Sequence, residues 1–444
     1  MGCRNDYSRI GIVPVTGAQR FSVVVALAAM LGSCVQRPAP PVTSGQPTAV
    51  VPAPGVPAEV ALVPFYDALD RMEAGVRRDP VVVLQIGDSH TANDGFSGRM
   101  RELLQARFGD AGRGFLPPGI PFKYYKPSDV VVVSKGWTVV SSFSPSSTGP
   151  FGITGLRQHA AGHAEMTLTG DRPGALDKAS IEVLMQPDGG TIRVSFDTGA
   201  GLTISTAAPV QEAVEISLPS AGATSMTVKT LNRRPVDLLS WSVERQDRGV
   251  IYANLGTIGA RIDLIGRWDS TIVAQELARL RPSLIEVAFG TNEGFNDTTN
   301  TGSYGELYAS EIAMLHQAAP QAAFILIGPP DGVRKPRPGV IDGGGCGVYP
   351  SATGGEEEWV RPRNLERVRE AQRKIAAEMG FYFWNWSEAM GGTCSMAAWA
   401  SMNPPLSAPD HIHLFRAGYR ITAERLFNSI MDGYDRYEQS KRPR

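Results

Sequence analysis

A run of β-branched and apolar residues, Val81-Val82-Val83-Leu84-Gln85-Ile86, breaks off at Gly87-Asp88-Ser89, and a helix-like segment follows from Phe96 to Phe108. That order predicts a buried parallel strand, a tight turn and a crossover helix. In open α/β sheets, ligands bind beyond the carboxyl ends of the strands. Ser89, at such an end, has two readings: a nucleophile, or a residue that merely caps the next helix. The rest of the chain has to decide.

The same alternation returns from Val250 onward. A strand at Ile251 precedes a helical pattern at Ser270 to Leu280, Leu284 precedes Tyr304 to Ala319, and Ala323 to Ile327 precedes a long loop and Asn364 to Met379. A last strand, Phe381 to Trp384, leads to a closing helix from Arg416 to Met431. With the first unit this predicts five parallel strands with right-handed crossovers, a three-layer α/β/α sandwich. Ala58 to Arg78 has helical periodicity and is expected to pack across the sheet.

Between Pro117 and Gly249 the pattern changes to short β-rich runs, among them Val130 to Val133, Ile181 to Met185, Ile192 to Phe196 and Met226 to Leu231, separated by turn residues. Such spacing predicts a sandwich or jelly roll. The organisation expected is therefore an α/β domain in two parts, 58–116 and 250–444, with an all-β insertion at 117–249. The insertion is either a structural cover or a carbohydrate-binding-like module; no row of sugar-stacking aromatics stands out in it.

A serine nucleophile needs a base and a group to orient that base. Of six histidines, His90 adjoins Ser89 and is expected to point away, His316 lies in a helical pattern, and His159 and His163 fall in a Gly-rich, non-periodic stretch. Asp410-His411-Ile412-His413 remains. An Asp three residues before a His can hold the imidazole within one turn, so Asp410 and His413 fit best, with His411 the competitor. Gly256, ending Ile251 to Leu255, offers a backbone N–H for an oxyanion, and Asn292, after the strand at Leu284, offers a side-chain amide. Aimed donors of this kind are worth about 3 to 4 kcal/mol each.

These four blocks, in this order, resemble the SGNH (GDSL-like) hydrolase family. The resemblance implies Ser89 as nucleophile, His413 as base, Asp410 as its orienter, and an oxyanion hole from the Ser89 N–H, the Gly256 N–H and the Asn292 side chain. It departs from the family where His90 replaces the usual leucine. Gly-Asp-Ser-His-Thr, with Phe108-Gly109-Asp110-Ala111-Gly112-Arg113-Gly114-Phe115, is similar to the subgroup containing bacterial peptidoglycan O-acetylesterases. That implies a serine esterase acting on an O-acetylated cell-wall or surface glycan, with an O-acetyltransferase, a lipase or thioesterase, or a non-catalytic glycan-binding lipoprotein as alternatives. The α/β-hydrolase elbow Gly-x-Ser-x-Gly is not matched, because Thr91 stands at its second glycine.

Arg4, Arg9 and Arg20 precede an apolar run from Phe21 to Leu31 that is too short to span a bilayer and reads as a signal peptide. Leu31-Gly32-Ser33-Cys34 resembles a bacterial lipoprotein box, implying lipid on Cys34. Val35 is not an inner-membrane retention signal, so an outer-membrane anchor facing the periplasm is expected, with the Pro-rich segment 35–57 as tether. Cys3 and Cys34 belong to this region. The other two of the four cysteines, Cys346 and Cys394, are predicted to form a disulfide. The net charge of −1 across 444 residues, with no basic patch, argues against nucleic acid as partner. No metal-ligand cluster is evident and no cofactor is implied.

Overall fold

The computed structural model describes residues 55–350 and 355–442; Cys34 and the tether up to residue 54 lie outside them. Five strands, β1 (Val81–Gly87), β2 (Val250–Gly256), β3 (Leu284–Ala288), β4 (Ala323–Gly328) and β5 (Tyr382–Asn385), form one parallel sheet in the order β2-β1-β3-β4-β5. The near-continuous apolar runs of β1 to β4 are explained by burial on both faces. Along β1, Val81 and Val83 enter one core with α1 (Val63–Glu73), α2 (Gly95–Phe108) and α6 (Arg416–Lys441). Val82, Leu84 and Ile86 enter the opposite core with α3 (Ser270–Leu280), α4 (Thr301–Ala318) and α5 (Arg363–Met379). This is a three-layer α/β/α sandwich.

Several boundaries differ from the sequence reading for identifiable reasons. Helix α4 begins at Thr301 because the Asn300 side chain accepts from the Gly302 and Ser303 N–H groups. Helix α6 runs past Met431 to Lys441, since Tyr434 and Tyr437 continue its buried face and pack on Tyr66, with ring centroids 5.6 Å apart in both pairs. The Gly-rich loop after β4 contains an antiparallel ribbon, Gly345–Pro350 with Glu356–Val360, and Cys346 is disulfide-bonded to Cys394.

Two antiparallel sheets intervene between β1 and β2. One has the order Glu212–Leu218, Lys178–Met185, Val236–Glu244, Leu156–Ala160, Thr138–Ser141; the other Val130–Lys135, Glu165–Gly170, Ser225–Thr230, Thr191–Phe196, Gly201–Ser205. They share a core that includes Leu116, Ile181, Ile192, Met226 and Trp241. Gly114–Leu116, at the end of the first hydrolase segment, already pairs with Val236–Glu244 of this sandwich. His159, read as lying in an irregular stretch, sits on the strand Leu156–Ala160, with Nδ1 3.0 Å from Asp237.

Candidate active site

At the end of β1 the chain makes a one-turn helix, Ser89–Ala92. Its N-cap is Asp88, whose Oδ1 accepts the His90 N–H at 2.9 Å. Ser89 is therefore not the cap, and its hydroxyl is left for other work. The Ser89 Oγ lies 2.8 Å from His413 Nε2, and His413 Nδ1 lies 2.7 Å from Asp410 Oδ2. Asp410 Oδ1 also accepts the N–H groups of Ile412 and His413, at 3.0 and 2.9 Å. The carboxylate thereby fixes both the loop and the imidazole it carries. Its partner on Nδ1 selects the tautomer with a free lone pair on Nε2, facing Ser89.

The charges follow from this arrangement. The hydrogen bond that His413 donates to Asp410, working against burial, raises the imidazole above its ordinary range. Burial pushes Asp410 up, but the hydrogen bonds from His413 and the neighbouring backbone outweigh it and hold the carboxyl below its usual range. His411 is directed elsewhere: its ring stacks on Trp359 at 3.6 Å between centroids, and its Nδ1 faces the Pro409 carbonyl. The spacing i to i+3 thus wins over the adjacent pair. His90 is buried, with Nδ1 2.9 Å from the Tyr419 hydroxyl and its ring 5.1 Å from that of His413. Burial first, and the charge of His413 second, lower its pKa to about 3, so it is neutral. Asp88, also buried, is pushed up to about 6 by loss of solvation.

The two other sequence candidates have specific surroundings. A Cβ on Gly256 would fall 2.1 Å from the Ala92 backbone nitrogen, so the strand end packs directly on the turn that carries Ser89 and only glycine fits. The Gly256 N–H itself donates to Asn254 Oδ1 at 3.3 Å and is thus turned to an internal acceptor. Asn292 Nδ2 spends one proton on the Ala260 carbonyl at 2.8 Å and retains the other. Gly259, next to Ala260, has φ +77°, and its N–H has no acceptor among the described residues.

The solved structure of a peptidoglycan O-acetylesterase is similar to this chain at 26% identity and a TM-score of 0.69, covering 84% of this chain and 96% of the other. The GDSL-like lipase/acylhydrolase family model matches residues 220–421. The chain has the SGNH hydrolase fold. It is accordingly a carboxylic ester hydrolase by class. Two further solved structures are a putative GDSL-like lipase from Parabacteroides merdae (14% identity, 43% of this chain and 74% of the other, TM-score 0.28) and an acetyl xylan esterase (13%, 41% and 81%, TM-score 0.28). No curated protein matches the sequence.

The sequence reading passed over Asn254, a buried polar residue within β2. Its Nδ2 has three acceptors in reach: the Thr91 carbonyl at 2.6 Å, Ser97 Oγ at 2.5 Å and Asp94 Oδ1 at 3.1 Å. Asp94, in the left-handed region at φ 55°, also accepts from Ser97, Arg101 and the Ser128 N–H. Burial pushes Asp94 up, but Arg101 and Arg113 more than compensate and keep it ionised. The turn that carries Ser89 therefore rests on a buried polar network centred on Asp94 and Asn254. The one available signal was an Asn inside an otherwise apolar strand. Among the described residues, no group of three or more His, Cys, Asp or Glu is arranged to hold a metal ion.

Proposed function

We propose that this SGNH hydrolase is an exported serine esterase that removes O-acetyl groups from peptidoglycan. The observation that carries the chemistry is the contiguous line from Ser89 through His413 to Asp410, at 2.8 and 2.7 Å. His413 Nε2 takes the Ser89 proton as Oγ attacks the ester carbonyl, and returns it to the departing sugar oxygen. Water, deprotonated by the same nitrogen, then attacks the acetyl-serine and releases acetate. The oxyanion is assigned to the Ser89 N–H, the second amide proton of Asn292 and the N–H of Gly259. Gly259 replaces Gly256 in this role because the Gly256 N–H is engaged by Asn254. Similarity to a peptidoglycan O-acetylesterase over 96% of that chain supports the substrate, and the basic and apolar N-terminus ending at Cys34 supports export as a periplasm-facing, lipid-anchored protein.

The test is acetate release from O-acetylated peptidoglycan by the purified protein beside its Ser89→Ala variant, with p-nitrophenyl acetate as a small-ester control. Release that disappears in the variant is expected. Hydrolysis of the small ester with no release from peptidoglycan would refute the substrate while leaving the nucleophile in place.

A further inference from the structure

The inserted sandwich reaches the rim of the active site through one loop, between the strands Thr138–Ser141 and Leu156–Ala160. Arg267, from the turn Ile262–Arg267, fixes it: Nη1 donates to the carbonyls of Ser142 and, at 2.8 Å, Ser144, and Nη2 to that of Ser147 at 2.9 Å. The Ser142 hydroxyl and N–H both donate to the Gly155 carbonyl, at 2.7 and 2.8 Å. This places Phe143 against the oxyanion-side loop, its ring edge 3.2 Å from where a Cβ on Gly259 would stand. Yet Phe143 is 50% exposed, and Ile258, beside Gly259, is 45% exposed. A large aromatic held open to water by a tied-down loop has been given a position without being given a partner.

From Gly259 the contacts run on through the Ala260 carbonyl to Asn292. We propose that Phe143 is a carbohydrate-binding platform, on which a pyranose ring of the acetylated glycan lies while its ester is at Ser89. A pyranose presents an axial C–H face that suits the negative face of an aromatic ring. The patch is one ring and one isoleucine on an open rim, which fits a sugar face better than the deep apolar channel an acyl chain would need. This subsite rests on the glycan-esterase reading above and gives the inserted domain a part in selecting the substrate.

The experiment compares kcat/KM for O-acetylated peptidoglycan and for p-nitrophenyl acetate in the full chain and its Phe143→Ala, Phe143→Trp and Tyr124→Ala variants. Tyr124, 72% exposed, controls for loss of an arbitrary surface aromatic. Phe143→Ala is expected to lose about tenfold more on the polymer than on the small ester, mostly through KM, while Phe143→Trp retains the polymer preference and Tyr124→Ala changes neither. Equal losses on both substrates, or no loss on either, would overturn the platform and leave the esterase reading intact. A wild-type protein that cleaves the small ester but releases acetate from no O-acetylated glycan would remove the reading and the subsite together.

Discussion

Replacing Asn254 by alanine asks whether the network behind the nucleophile turn holds that turn in place. The substitution removes the donor to Thr91 O, Asp94 and Ser97, and the acceptor of the Gly256 N–H. Thr91 O keeps the Asp94 N–H at 3.1 Å, and Asp94 keeps Ser97, Arg101 and Ser128. Only the half-buried Gly256 N–H is orphaned. An orphaned donor costs about 1 to 3 kcal/mol and each of the two bonds that the amide protons donate about 1 kcal/mol, so the loss is about 3 to 5 kcal/mol. That is a sizeable share of the roughly 5 to 15 kcal/mol that holds a typical domain together. Because Thr91 is two residues from Ser89, kcat for p-nitrophenyl acetate should fall about 10- to 100-fold, with KM less affected, as expected for a displaced nucleophile. Urea unfolding and steady-state kinetics on the same preparation measure both. A variant that unfolds within about 0.5 kcal/mol of wild type and keeps its kcat would show that the turn is held by β1 and α2 alone.

Asp410→Asn should lower the His413 pKa, since the Asp410 bond is the main cause of its elevation; the rising limb of the pH–rate profile, which needs neutral His413, then moves to lower pH. The rate at its plateau should drop about 100-fold, less than the roughly 10⁴-fold known for a buried orienting aspartate, because Asp410 is half exposed to solvent. Removing that pairing also costs stability at low pH: the folded pKa of His413 lies above its unfolded value, so its contribution is complete below the unfolded pKa and is lost as pH rises through the folded one. Glu293 is raised by burial from 4.5 to about 7, so it stabilises the fold in its protonated form and that contribution disappears between pH 4.5 and 7; Glu293→Gln, which can still accept the Ile262 N–H, should flatten the fall in Tm between pH 5 and pH 8. The Cys346–Cys394 bond closes a separation of 48 residues, worth at most about 4 kcal/mol by chain entropy, so Cys346→Ser should lower the urea midpoint under oxidising conditions and leave it unchanged relative to wild type under reducing ones.

Four strands of the parallel sheet, β1 to β4, were legible because each is buried on both faces and so is written mainly in Val, Ile, Leu and Ala, whereas β5, Tyr-Phe-Trp-Asn, is only partly buried. Their neighbours were not. β2 lies beside β1 with Gly256 level with Gly87, a pairing over a long chain separation that no local pattern encodes. The same distance hid Asn254, whose partners Thr91, Asp94 and Ser97 come from the turn and helix after β1. Asp410 and His413 were readable because their relation is local, three residues within one turn, and the geometry then separated them from His411. Gly256 was harder to read for the opposite reason: a glycine at a strand end is equally suited to donate an N–H or to admit a neighbouring backbone, and the contact with Ala92 shows that the second use is made of it. His90 was expected to point away from Ser89, and its ring does turn inward, to Tyr419, but it comes to lie against His413 instead.

How the sheet tolerates a whole sandwich between β1 and the edge strand β2 can be read from the insertion's ends. The chain leaves at Gly114 and comes back along Val236–Glu244, and these two segments pair antiparallel, Gly114 opposite Val243. Just inside them the Val250 N–H donates to the Gly109 carbonyl and the Arg245 N–H to that of Ala111. Exit and re-entry are thus side by side, so the hydrolase sheet closes as though the intervening residues were a short loop, and loop entropy grows only slowly with the length inserted. The family-model match shows the consequence in sequence: it begins at residue 220, after most of the insertion, and takes in Asn292, Asp410 and His413 while leaving Ser89 on the far side. A domain admitted in this way carries no obligation to touch the catalytic rim. That Arg267 ties one of its loops there, with Phe143 left open to solvent, is therefore a feature that the topology did not require.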